Sequence, residues 1–182
     1  MKKPAVFFMS LTMVLACAGC TGVTQTAEAW VDYYQSDDMP WGESKTLTLP
    51  EFPGVTFTWT PDEVTADDGK EVTTLFTGMP VENVYLCDLT GDGKPEFCAT
   101  VSIGSGIVQT FVRVYDYASG ASYELRDAQF HHDYVLTGGG KSLQVIKSQN
   151  PCIVWEKDEA SEKGTLVLAP DGAGNLRPAM EN

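Results

Sequence analysis

The sequence predicts an all-β fold, an antiparallel meander forming a sandwich or a partial propeller-like arrangement. Apolar and polar residues alternate along short runs, which puts one face of a strand on a core and the other in water. Turn-forming residues separate these runs at a spacing of about ten residues. No run keeps a 3.6-residue apolar period long enough to define a helix.

The runs follow in order. Residues 46–49 alternate, and residues 55–60 do so cleanly, with Val55, Phe57 and Trp59 on one face. Asp67, Asp68 and Gly69 then turn the chain into a strand over 71–76. Further strands are expected at 84–87, 97–101 and 107–115. A turn at Ala118, Ser119 and Gly120 leads into 122–125. The tail continues with runs at 134–136, 142–146, 152–155 and 165–168. A full propeller takes four or more blades, and these runs supply two or three sheets.

Ahead of the β-type region lies a different kind of sequence. Lys2 and Lys3 precede an apolar stretch, residues 5–16. That stretch is shorter than the roughly 20 residues that span a bilayer, so it reads as a signal peptide over 1–19. Its end resembles a bacterial lipoprotein box, in which a cysteine after small residues is acylated and becomes the mature N-terminus. Cys20 follows Ala18 and Gly19, the usual small pair, but has Cys17 where an aliphatic residue is expected. Cys17 is the alternative, with bulky Leu15 one place too late. The alternative to the lipoprotein box is an ordinary signal peptide cut after a small residue. Acyl chains bury methylenes at about 0.8 kcal/mol each, so several chains hold a protein on a membrane without a span. Residues 20–45 read as a tether, and residues 46–182 as one β-rich extracytoplasmic domain. Within the tether, Ala29, Trp30 and Val31 with Tyr33 and Tyr34 suit a helical turn docked on the domain.

The chain has 182 residues, with 12 Lys+Arg against 25 Asp+Glu. Two lysines and no acids lie in the leader, so the remainder carries 10 − 25 = −15. A charge of that sign argues against nucleic acid, which needs a basic patch. It also argues against electrostatic adhesion to anionic lipid, and it suits cations. Past the leader stand Cys87, Cys98 and Cys152, with no C-x-x-C pair for a zinc ribbon or a thioredoxin-like site.

One loop carries recognisable chemistry. It runs Asp88-Leu89-Thr90-Gly91-Asp92-Gly93-Lys94-Pro95-Glu96 between two apolar runs. Oxygen side chains stand at loop positions one, three, five and nine, and Gly93 stands where a calcium loop turns sharply. The candidate metal ligands are Asp88, Thr90, Asp92, the Lys94 carbonyl and Glu96. It is not an EF-hand, because position twelve is Ala99 rather than glutamate. The bare alternative is a hairpin turn, since Asp and Gly form turns without an ion.

The segment resembles the calcium loops of FG-GAP and VCBS-type repeats, as in integrin-like propellers. There, Asp-x-Asn-Gly-Asp-Gly-x-x-Asp lies between the first two strands of a blade. The resemblance implies a structural calcium ion. Thr90 for Asn, Glu96 for Asp, and a single copy in place of a tandem array imply a lower affinity. Cys87 and Cys98 flank the loop. A disulfide between them closes about 12 residues, worth roughly 3 kcal/mol; the alternative is two small buried thiols.

A broader resemblance covers about 52–177. Residues 52–59, 75–80, 102–107 and 114–117 resemble the extracytoplasmic C-terminal region of clostridial BlaR-type membrane metallopeptidases. Those enzymes carry His-Glu-x-x-His, and the two histidines here, His131 and His132, are adjacent and lack that pattern. The peptidase activity therefore does not transfer.

Other signals fall short. Gly138, Gly139, Gly140, Lys141 and Ser142 suggest a phosphate loop, but Val135 stands where its first glycine belongs. Ser102 and Ser105 lack the spacing of a nucleophile elbow. Trp41, Trp59 and Trp155 suit sugar stacking or, more commonly, packing. The expected protein is a non-enzymatic surface lipoprotein, anchored on the outer face of the cell membrane, for binding or sensing. Its expected partners are the membrane, through the lipid, and an unknown extracellular ligand or envelope protein. The alternative is a small hydrolase of cell-wall or glycan material.

Overall fold

A computed structural model of the chain describes residues 27–34, 36, 38–139, 142–153 and 161–182. The expected leader, Cys17 and Cys20, and the first part of the expected tether lie outside the described residues, as do Val154 and Trp155. No helix among the described residues is long and apolar enough to cross a membrane. The all-β expectation holds: the described residues form thirteen strands in three antiparallel sheets.

The first sheet is a meander of β2 (Lys45–Leu47), β3 (Thr56–Trp59), β4 (Glu63–Asp67) and β5 (Val72–Thr77). The middle sheet is a second meander of β6 (Val81–Cys87), β7 (Glu96–Ile103), β8 (Gln109–Asp116) and β9 (Ala121–Leu125). β1 (Glu28–Asp32) adds to its β6 edge. The third sheet is β10 (His132–Gly139), β11 (Ser142–Gln149), β12 (Glu162–Pro170) and β13 (Leu176–Glu181), again in chain order. Each meander thus has the strand order of a propeller blade.

The alternation of side chains explains how the sheets stack. Phe57, Trp59, Val64 and Phe76 of the first sheet pack against Val84, Leu86, Phe97, Ala99 and Val101 of the middle one. The residues between these on the middle sheet point the other way. Tyr85, Cys87, Cys98, Val112 and Val114 form a second core with Leu136, Leu143, Val145 and Leu166 of the third sheet. A sheet covered on both faces needs apolar residues at successive positions. This is why 84–87 and 97–99 read as unbroken apolar runs, whereas β3 alternates.

Residues 28–32 form a strand, not the expected helical turn. Pairing with β6 satisfies backbone groups that an open sheet edge would leave to water. Val31 is buried, Trp30 meets the edge of the Phe97 ring, and Tyr33 stacks on Trp59 with centroids 5.3 Å apart. Part of the expected tether is therefore core.

Two further strands escape the sequence pattern. β4 turns only Val64 and Ala66 inward, too little apolar signal beside the acids that flank them. β13 contains Pro178, which is tolerated because this strand lies at a sheet edge.

The disulfide alternative at Cys87 and Cys98 is not realised, and both are free, buried thiols. Cys87 pairs with Glu96, and Cys98 pairs with Tyr85. The register is displaced by two residues from the one that sets the cysteines opposite each other. They are diagonal neighbours, with α-carbons roughly 7–8 Å apart, beyond the usual reach of a disulfide. Burial pushes the Cys87 thiol up to about 11 and holds Cys98 well above the ordinary thiol range, so both are inert as nucleophiles.

Candidate metal centre

The loop 88–95 joins β6 to β7 at one end of the middle sheet. Two glycines let it fold back on itself. Gly91 (φ 77°) and Gly93 (φ 85°) take left-handed conformations that side-chain-bearing residues disfavour. Asp88 organises the loop from its first position. Its Oδ1 accepts the Gly91 N–H at 2.7 Å, and its Oδ2 accepts the Gly93 N–H at 3.0 Å. Asp92 Oδ1 accepts the Lys94 N–H at 2.8 Å. Leu89 turns into the second core and pins the loop to the sheet.

Glu96 closes the loop from beneath. It is 1% exposed. Its Oε2 accepts the Leu89 N–H at 2.5 Å and the Thr90 N–H at 3.3 Å. Its Oε1 accepts the Thr90 hydroxyl at 2.8 Å. Burial raises the Glu96 pKa, these hydrogen bonds pull it back, and the charge of Asp116 at the end of β8 adds to the rise.

Asp88, Asp92 and Glu96 thereby offer carboxylate oxygens that all lie within 4.8 Å of one another. Asp92 faces solvent, Asp88 is half-buried, and Glu96 is enclosed. Three like charges at this separation repel, and a hard cation offsets that repulsion. Asp88 Oδ1 and Oδ2, Asp92 Oδ1 and Glu96 Oε1 each accept one such hydrogen bond and keep a second lone pair. The donor set therefore fits calcium, with backbone carbonyls and water completing six to eight ligands. Of the residues expected as ligands, Asp88, Asp92 and Glu96 converge. The Thr90 hydroxyl is directed at Glu96, and the Lys94 amide at Asp92.

The other sequence signals resolve as structure. Gly139 pairs with Ser142, so the glycine-rich segment is a hairpin, with residues 140–141 outside the described residues. His132 Nδ1 lies 2.8 Å from Asp127 Oδ2, and His131 is exposed. Trp59 is fully buried and donates its indole N–H to the Val81 carbonyl at 3.1 Å. Trp41 remains 60% exposed.

The structure also contains a cavity that sequence reasoning missed. It has a volume of about 360 Å³ and is lined by Asp32, Tyr34, Ser36, Leu136 and Thr137. Three of these five residues belong to the segment read as tether. The Tyr85 hydroxyl donates to Asp32 Oδ2 at 2.6 Å and accepts the Gly138 N–H at 3.0 Å, joining β1, β6 and β10 behind the cavity. Only the placement of β1 in the middle sheet brings these residues together.

No family model matches the chain, and neither a curated protein nor a solved structure matches it.

Proposed function

We propose that this chain is a lipid-anchored protein of the outer membrane face, with a non-enzymatic β domain, stabilised by calcium, that binds or senses an extracellular ligand or envelope protein. The observation that carries the reading is the convergence of Asp88, Asp92 and Glu96 within 4.8 Å in the β6–β7 loop. That loop joins the first two strands of a four-strand meander. This is the position of the calcium loop in the FG-GAP and VCBS-type blades that its sequence resembles. The role of the ion is structural, since it fixes a turn between two sheet cores. The apolar leader ending in Cys17-Ala18-Gly19-Cys20 supports export and anchoring. The net charge of −13 suits a surface that holds cations and repels anionic lipid.

Metabolic labelling with palmitate in a bacterial host tests the anchor. Wild type and Cys17→Ala incorporate label into the membrane fraction, and Cys20→Ala does not. Label retained in Cys20→Ala but lost in Cys17→Ala moves the anchor to Cys17. No label in the wild type rejects it. The hydrolase alternative is tested by incubating the protein with peptidoglycan and soluble glycans. The binding reading predicts retention on one of these or on an envelope protein, with no release of reducing ends.

A further inference from the structure

The middle and third sheets meet through two unlike surfaces. Towards the β6–β7 loop the contact is apolar, with Cys87, Cys98 and Val114 against Leu143, Val145 and Leu166. Towards the other end it is polar. The Asn83 amide donates to the Leu136 carbonyl at 2.9 Å, and Asn83 Oδ1 accepts the Thr100 N–H at 2.9 Å. The Thr100 hydroxyl accepts the Leu136 N–H at 2.9 Å.

Beside this clamp lie two carboxylates. Glu82 Oε1 accepts the Ser102 hydroxyl at 2.5 Å, and Ser102 Oγ lies 2.8 Å from Thr110 Oγ1. Asp133 Oδ1 accepts the Thr110 N–H at 2.9 Å and the Asn150 amide at 3.1 Å. Glu82 Oε2 is buried, and no group among the described residues hydrogen-bonds to it. Among the described residues, neither carboxylate forms an ion pair with lysine or arginine. The titratable groups facing Glu82 are Asp133 on β10 and Tyr34 on the segment after β1. The His132 ring lies close enough to Asp133 to lower its pKa when protonated.

Glu82 is only partly buried, but its Oε2 is enclosed without a partner or a lysine or arginine among the described residues, and a proton relieves the cost of leaving that charge uncompensated. We propose that Glu82 is a proton switch at the joint between the middle and third sheets, taking up a proton as pH falls and tightening that joint. The electrostatics agree with the geometry. Burial is the main cause raising the Glu82 pKa above its ordinary 4.5, the Ser102 hydrogen bond opposes it, and the Asp133 charge adds to it. Asp133 is itself raised, chiefly by burial.

The sign follows from linkage. A raised folded pKa means that the folded protein holds the proton more tightly than the unfolded chain. The stabilisation is fully present below the unfolded pKa and is lost as pH rises through the folded one. The switch depends on neither the lipid anchor nor calcium.

Melting of the purified protein and its Glu82→Gln variant at two pH values tests this. Glutamine keeps an acceptor for Ser102 and removes the charge. At about pH 7.5 the variant melts about 2–4 °C above wild type, and at about pH 4 the two coincide. Titration of the carboxyl groups common to both proteins cancels in the comparison. A variant that melts lower at the higher pH, or that differs from wild type equally at both, overturns the proposal. A ¹³C NMR titration of the wild-type glutamate carboxyls gives a check that needs no variant. The Glu82 resonance titrates above the ordinary value, and a midpoint at or below about 4.5 also overturns the proposal.

Discussion

Phe97→Ala lowers the unfolding free energy by about 3–5 kcal/mol, the range for emptying a large aromatic site in a packed core. Phe97 is fully buried on the face of the middle sheet that meets the first sheet. Its ring centroid lies 4.5 Å from that of Phe57 and 6.3 Å from that of Trp30, the latter pair edge to face. Truncation therefore loses contacts with β3 and β1 at once, and both flanking strands constrain how far the site can collapse. Equilibrium urea unfolding followed by tryptophan fluorescence measures the change. A loss below about 1 kcal/mol would mean that β1 does not pack on this face in solution.

Glu96→Ala costs about 2–3 kcal/mol, although it removes a charge from an acidic protein. The carboxylate accepts two backbone N–H groups and one hydroxyl at the base of the loop. Hydrogen bonds to a charged acceptor contribute about 1.5–3 kcal/mol. The Leu89 amide, on a residue only 7% exposed, is left without an acceptor. Burial of the carboxylate offsets part of this gain, as the raised pKa indicates. The same urea experiment reads the loss. Hydrogen exchange at Leu89 and Thr90 locates it, because both amides lose protection in the variant while the amides of β11 do not. Unchanged protection at Leu89 would contradict the role assigned to Glu96.

Much of this was legible in the sequence, for a physical reason. Strands with one wet face and one buried face announce themselves by alternation, as Val55, Phe57 and Trp59 do. Strands buried on both faces announce themselves by continuous apolar runs, as residues 84–87 do. The β6–β7 loop was legible because its glycines and acids sit at a spacing fixed by local geometry.

What the sequence hid depends on contacts between distant residues. β1 has few core residues, and only its pairing with β6, some fifty residues later, makes them part of a sheet. The clamp between Asn83 and Leu136 and the junction of Glu82 with Asp133 likewise join residues about fifty apart, and no local pattern marks them. The choice between a disulfide and free thiols at Cys87 and Cys98 was hidden because a loop's length does not settle which residues pair beneath it. Two residues of slip keep both thiols on the same face yet move them out of bonding reach.

In the proposed function, the loop at Asp88, Asp92 and Glu96 holds a calcium ion that stabilises the β domain. The most direct measurement is the melting temperature of the purified protein in excess chelator and in millimolar calcium, for wild type and Asp92→Ala. Asp92 is the exposed member of the cluster, and its own recorded side-chain hydrogen bond, to the Lys94 amide, stays within the loop. Its removal therefore leaves the fold in place. Calcium at ten times its dissociation constant adds about 1.4 kcal/mol to stability, a rise of about 3–6 °C for a domain of this size. That rise is expected in wild type and is absent in Asp92→Ala. A wild-type melting temperature indifferent to millimolar calcium, or an equal rise in both proteins, contradicts it.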